Sequence, residues 1–272
     1  MGLPIHKTLI LSIGITAIAL RCFSQALIVN LVPDSVLKSR LESGKVGRGE
    51  RENALRDLFR EASCAAQEQP VDKKTGNVIC TLPGASNLDI VVGSHFDYVE
   101  HGEGIVDDWS GASMLPSLYQ AMKGRPRRHS FVFVGFAAEE RGLVGSAKYV
   151  KNLSSEEKNR IRSFVNLECL GLSPTKVWVN RSNVDLTQLL SEAAQQASLP
   201  LKGMNVDRVG DDDTHSFLSE HIPVISIHSL TQETLPILHS DRDTMRAIHL
   251  ADYSTTYKLV AYYLAYLDEK LP

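Results

Sequence analysis

Glu139 and Glu140 stand side by side where the apolar run Phe131–Phe136 ends and the chain turns towards Gly142 and Gly145. The run is β-branched and aromatic, the pattern of a buried strand. Neighbouring side chains leave a strand end in divergent directions. One carboxylate can therefore bind a metal while its neighbour holds and deprotonates the water on that metal. Hydrolysis by a metal needs this division, because the base must reach the water without being used up as a ligand. Two adjacent glutamates alone fit a solvated loop equally well, so the other donors have to decide. The run Asp89–His95 ends on His95, and Asp97 follows it. Asp107 and Asp108 precede a helix start at Ser110-Gly111, Glu168 lies in the run Phe164–Cys169, and His239 follows the run Pro223–His228. Singly, His95 reads also as a histidine at a sheet edge, Asp107 as a helix cap, Glu168 as a buried partner of an arginine, and His239 as a loop residue. Together they end successive strands with hard oxygen and imidazole donors, which a zinc site without thiolates requires.

Positioning those donors takes strands that alternate with helices. Strands are read at Asn77–Leu82, Asp89–His95, Ser130–Phe136, Phe164–Cys169, Lys176–Asn180 and Pro223–His228, with a turn at Pro83-Gly84. Helical spacing covers Val32–Gln67, including Arg51–Ala66, and then Ser110–Lys123 with Pro116 inside it. Gln69–Thr75 reads as a polar connector. Short helices follow at Gly145–Leu153, Ser155–Arg162 (opened by Ser154 and Glu157 as a capping box) and Thr214–Glu220, and longer ones at Asn183–Ala197 and Ile248–Leu267. The pattern predicts a three-layer α/β/α sandwich around a mixed, largely parallel sheet. In such sheets ligands gather at the carboxyl ends of the strands, where the acidic and imidazole residues already lie.

The bulk properties are those of a globular chain. Its 272 residues are 43% hydrophobic with a net charge of −3, which gives no reason to expect nucleic acid or an anionic membrane as a partner. The basic cluster Lys123–His129 reads as a solvated helix end and loop. At the N-terminus, His6 and Lys7 precede the apolar run Thr8–Leu20, and Ser24 and Ala26 put small residues at the −3 and −1 positions of a cleavage site. Residues 1–26 are expected to be a signal peptide and 27–272 a single exported domain, secreted or periplasmic. An uncleaved anchor is the alternative, although the run is shorter than the about 20 apolar residues of a membrane span. In an oxidising compartment Cys64 and Cys80, which flank a polar, turn-rich segment, are candidates for a disulfide. Cys169 reads as a buried free thiol, and no cysteine pair has the spacing of a thiolate zinc site.

The ordered series GSHFD, IVDDWSG, AAEERGLVGS, NLECLG and ILHSDRD resembles the M28 family of zinc aminopeptidases, from about Asn77 to the C-terminus. The resemblance implies a mixed eight-stranded sheet between helices and two zinc ions sharing one bridging carboxylate. It makes Asp107 the bridge, gives one zinc His95 and Glu168 and the other Glu140 and His239, and casts Glu139 as the general base. Asp97 is implied to hold the far nitrogen of His95, and Asp243 to serve near the last histidine. It also implies a cis peptide between Asp107 and Asp108. The implied activity is hydrolysis of the N-terminal peptide bond of peptides with a free amino terminus, and Asp211–Asp213 read either as an anionic wall for that amine or as a solvated loop.

Three positions depart from the family pattern. Glu168 stands where an aspartate is usual, His215 is displaced by one position after Asp213, and no tyrosine adjoins His239. Two other readings follow from related proteins: a glutaminyl-peptide cyclotransferase holding one zinc, and a non-catalytic binding domain.

Overall fold

A computed structural model describes residues 27, 29–206 and 210–272. The expected leader over 1–26 lies outside them. Two helices open the fold, α1 (Asp34–Glu42) and α2 (Arg51–Glu61), followed by strands β1 (Gln67–Pro70), β2 (Gly76–Leu82) and β3 (Asp89–His95). Next come α3 (Ser110–Lys123), β4 (Ser130–Phe136), α4 (Val144–Asn152), α5 (Ser155–Arg160), β5 (Ile161–Glu168) and β6 (Lys176–Val177). The remainder is α6 (Val184–Ala197), β7 (Lys202–Gly203), α7 (Thr214–Leu218), β8 (Val224–His228) and α8 (Leu250–Lys270). The strands form one mixed eight-stranded sheet in the order β1-β2-β4-β3-β5-β8-β6-β7. Its centre, β4-β3-β5-β8, is parallel, so the carboxyl ends of these strands share one rim.

Alternation along the central strands separates two cores. Ile90 and Val92, Phe131 and Phe133, Val165 and Leu167, and Ile225 and Ile227 pack under α1, α2, α3, α6 and α8. Val91, Val134, Phe136, Phe164 and Val224 face the other way, against Tyr149 and Val150 of α4 and Phe217 of α7. The second face is mainly aromatic, with Phe217 stacked on Phe164 at 3.8 Å between ring centres. Side chains on a strand alternate with a period of two, so His95 and Glu168 fall on this same face at the rim. Gly111 lets the first turn of α3 approach closely, because a Cβ there would lie 2.8 Å from the Leu167 carbonyl oxygen.

Some elements differ from their sequence reading. The helical stretch expected over Val32–Gln67 is two helices, and the polar connector begins as β1, an antiparallel edge strand on β2. The residues of β1, QEQP, carry no apolar alternation because the strand is largely exposed. The strand expected over Lys176–Asn180 stops at Val177, and Val179–Arg181 forms a 3-10 turn. Glycine and lysine at β7 gave no strand signal. The helix α3 runs through Pro116 without interruption. Cys64 and Cys80 are bonded, which ties the end of α2 to β2. The basic cluster is a helix end and loop: Arg127 donates to the carbonyls of Met122, Lys123 and Arg125, and Asp268 of α8 accepts from the amides of Arg128 and His129.

Arg51 of α2 joins the helical layer to the loop after β3. Its guanidinium is buried between the rings of Tyr98 and Trp109 and donates to the carbonyls of Phe96, Glu103, Gly104 and Gly44. Removing a buried donor leaves its acceptors unsatisfied, at about 1–3 kcal/mol for each. Arg51→Met should therefore lower stability in urea by at least about 2 kcal/mol with the disulfide intact. A midpoint equal to wild type would show that the loop does not depend on this residue.

Candidate metal centre

The central rim gathers the donors named from the sequence. His95 ends β3, and its Nε2 lies 3.2 Å from Asp107 Oδ1 and 3.7 Å from Glu168 Oε1 at the end of β5. His239, in the segment after β8, places Nε2 3.2 Å from Asp107 Oδ2 and 3.1 Å from Glu140 Oε2 beyond β4. Asp107 therefore turns one carboxylate oxygen to each imidazole. Tetrahedral zinc with bonds of about 2.0–2.1 Å to nitrogen and oxygen separates its donors by about 3.3 Å. The four distances bracket that value, and Glu140 Oε1 is buried without a hydrogen-bond partner. Among the described residues Asp107, Glu140 and His239, and separately His95, Asp108 and Glu168, bring donor atoms within 4.8 Å of one another, so the site fits a divalent metal.

The backbone around these side chains is held by further carboxylates, of which Asp108 is itself grouped with His95 and Glu168 as a possible metal donor. The Asp107–Asp108 peptide is cis. Asp243 accepts from the amide of Val106 at 2.6 Å and from that of Asp107 at 3.2 Å. Asp108 accepts from the amides of Gly111 and Cys169 and from the Ser94 hydroxyl, which ties the loop to α3, β5 and β3 at once. Ala138, Leu143, Cys169 and His239 all have positive φ (49–60°). Side chains in that region strain the backbone by about 1–3 kcal/mol each, and such residues concentrate where a site dictates their direction. Here Ala138 turns the chain at the end of β4 so that Glu139 and Glu140 both point inward.

Asp97 faces His95 as expected and does a second thing as well. Its carboxylate accepts from the amides of Glu139 and Glu140, at 2.9 and 3.3 Å, and so fixes the glutamate turn. His95 Nδ1 lies 3.2 Å from the backbone carbonyl of Asp97, with the carboxylate at 3.6 Å. Glu139 Oε2 lies 3.9 Å from His95 Nε2, beside the donors without joining them. Glu168 folds back along β5, where its Oε2 accepts from Asn166 at 3.1 Å, and this accommodates its extra methylene. The acidic segment divides. Asp212 accepts from Thr214 and Ser226, whereas Asp213 is fully buried and neither of its oxygens has a hydrogen-bond partner. His215 is exposed. Sequence reading missed Arg51 and the part played by Asp108; the only sign of either was the acidic residue before Ser110-Gly111, which reads as an ordinary helix cap.

The cluster holds more negative charge than its own cations balance. Burial works against the His95 imidazolium, yet Glu139, Asp107, Asp97 and Glu168 hold its pKa well above the ordinary value. Hydrogen bonds to Asp107 and Glu140 push His239 up to about 10. Burial would raise Asp107, but His239 and His95 hold it well below the carboxylate range. Burial pushes Glu139 up to about 10, with His95 opposing and Asp213, Glu168 and Asp107 adding to the rise. Asp213 rises to about 7 by burial, with Glu168 adding to the rise.

Asp107, Glu139, Glu140, Glu168 and His239 line one cavity of about 680 Å³, whose other wall includes Leu143, Trp178, Leu230 and Leu238. His239 sits at its mouth with 55% of its side chain exposed. Fold and donors together describe an α/β metallopeptidase framework. The chain belongs to peptidase family M28, whose model matches residues 77–264. It is 40% identical over 100 residues to an aminopeptidase of Pseudomonas aeruginosa, a match covering 36% of this chain and 18% of that protein. The chain matches less than half the length of such curated relatives. Among solved structures it is similar to a zinc aminopeptidase from Bacillus subtilis (TM-score 0.63, 25% identity, covering 70% of this chain and 49% of that one). It is also similar in fold to the Porphyromonas gingivalis glutaminyl cyclase (TM-score 0.68, 16% identity, covering 88% and 97%).

Ligands bind metal as neutral imidazole and ionised carboxylate, so binding must expel the protons the metal-free cluster retains. Near pH 7, zinc binding measured calorimetrically in buffers of different ionisation enthalpy should release protons, and affinity should fall as pH falls. Binding without proton release would contradict the charge distribution described above.

Proposed function

We propose that the chain is an exported aminopeptidase that hydrolyses the N-terminal peptide bond of peptides, using two zinc ions. The observation that carries this reading is Asp107, with one oxygen directed to His95 and the other to His239. On this reading one ion is held by His95, Glu168 and Asp107, and the other by His239, Glu140 and Asp107. When bound, such a pair polarises the scissile carbonyl and lowers the pKa of water towards neutrality. Glu139, free of ligand duty, takes the proton from the attacking water and returns it to the leaving amine. Asp97 positions Glu139 by accepting from its amide, and Asp243 positions Asp107 in the same way. The apolar wall of the cavity excludes water and favours a substrate with an apolar first residue, while exposed Asp211, among its lining residues, supplies a carboxylate for a free amine.

Export is supported by the leader-like residues 1–26 together with the Cys64–Cys80 bond, and the peptidase is read as the single domain 27–272. Among the described residues no helix is long and apolar enough to cross a membrane. The cyclase reading draws on the likeness in fold to a protein of closely similar extent. The number of metals discriminates, because the peptidase reading needs two per chain.

Glu139→Gln should lower kcat for aminoacyl chromogenic substrates by about 10²–10⁴-fold while two zinc ions per chain are retained. Wild-type activity should vanish with a chelator and return with zinc. Undiminished turnover in the glutamine variant would remove Glu139 from the role of base, and one zinc per chain with cyclisation of N-terminal glutamine would favour the cyclase.

A further inference from the structure

Cys169 follows Glu168 directly and lines the same cavity as Asp107, Glu139 and Glu140. Its Sγ lies 3.5 Å from Glu168 Oε1, and donor atoms of Asp107, Glu168 and Cys169 lie within 4.8 Å of one another. A tetrahedral zinc with bonds of about 2.3 Å to sulfur and 2.0 Å to oxygen separates the two by about 3.5 Å. The direction of the side chain is fixed from both ends of the residue. Its φ is 49°, its amide donates to Asp108 Oδ1 at 2.9 Å, and its carbonyl accepts from the amide and hydroxyl of Ser229. Among the described residues Asp107, Glu168 and Cys169 form one of the groups that could hold a metal ion, and in the same cavity Glu140 Oε1 is buried without a hydrogen-bond partner.

We propose that Cys169 is a thiolate donor to the metal on the His95 and Glu168 side of the centre, a role the sequence spacing does not suggest. The inference rests on the two-metal reading above. On binding, the sulfur–metal bond forms as the S–H proton leaves to solvent, with no change of oxidation state. Thiolate is a soft ligand, so this half of the centre favours zinc, cobalt or cadmium over manganese or magnesium. Cys169 then joins Asp107 and Glu168 as a third protein donor to this ion.

The test uses the full chain carrying Cys22→Ser. With Cys64 and Cys80 bonded, Cys169 is then the one free thiol. Metal-free protein is titrated with Co²⁺ while absorbance and metal content are followed. A thiolate-to-cobalt charge-transfer band in the near ultraviolet, saturating with bound cobalt and lost in Cys169→Ser that still shows visible cobalt bands, would support the proposal. If Cys169→Ser fails to fold, the band in the Cys22→Ser protein alone decides, since no other thiol is present. Two cobalt ions bound with no such band would overturn the thiolate and leave the two-metal reading standing. Failure to bind cobalt at all would overturn both.

Discussion

A carboxylate that shows a different oxygen to each of two imidazoles sets the terms for the rest of this protein. Asp107 is almost fully buried, and so are Asp108, Glu168 and Asp213 around it. Taking a charge out of water is costly unless an opposite charge meets it. The histidines and Arg51 meet only part of the demand, and the metal-free cluster answers by retaining protons on His95, His239 and Glu139. Divalent cations held between the same side chains would take the place of those protons.

Several carboxylates hold the backbone of the cluster in place. Asp243 accepts from the amides leading into Asp107, Asp97 from those of the glutamate turn, and Asp108 from α3 and the residue after β5. Each carboxylate fixes backbone, leaving a neighbouring side chain free to act as donor or base. Arg51 reaches the same loop from the opposite layer and holds three of its carbonyls, with that of Gly44 as a fourth acceptor. The Glu139 and Glu140 pair shows the consequence: an αL residue at Ala138 and two amide contacts to Asp97 keep the base beside the donors without making it one.

The family pattern is kept in outline and altered locally at β5. A glutamate replaces the usual aspartate, and it folds back onto Asn166, which lies on the same face two residues before it. The next residue is a cysteine whose sulfur comes within reach of the same oxygen. A longer carboxylate withdrawn along the strand and a thiol brought forward by positive φ meet at one half of the centre while the fold stays unchanged.

The sequence alone named the candidate donors. Hard-acid ligands at strand ends, a glutamate pair after an apolar run, and the order of five short motifs named His95, Asp107, Glu140, Glu168 and His239 before any coordinates, because strand periodicity and motif order are local. It also gave the alternating fold and the Cys64 and Cys80 pairing. It could not give β1 or β7, whose exposed, polar residues carry no period-two signal. It placed Asp97 at His95 but not at the amides of Glu139 and Glu140, and it gave no hint of Arg51. Those roles depend on which amide or carbonyl lies opposite a side chain after some forty or more residues of chain have folded back. Hydrogen bonds between distant segments leave no periodic trace, so only the tertiary structure decides them.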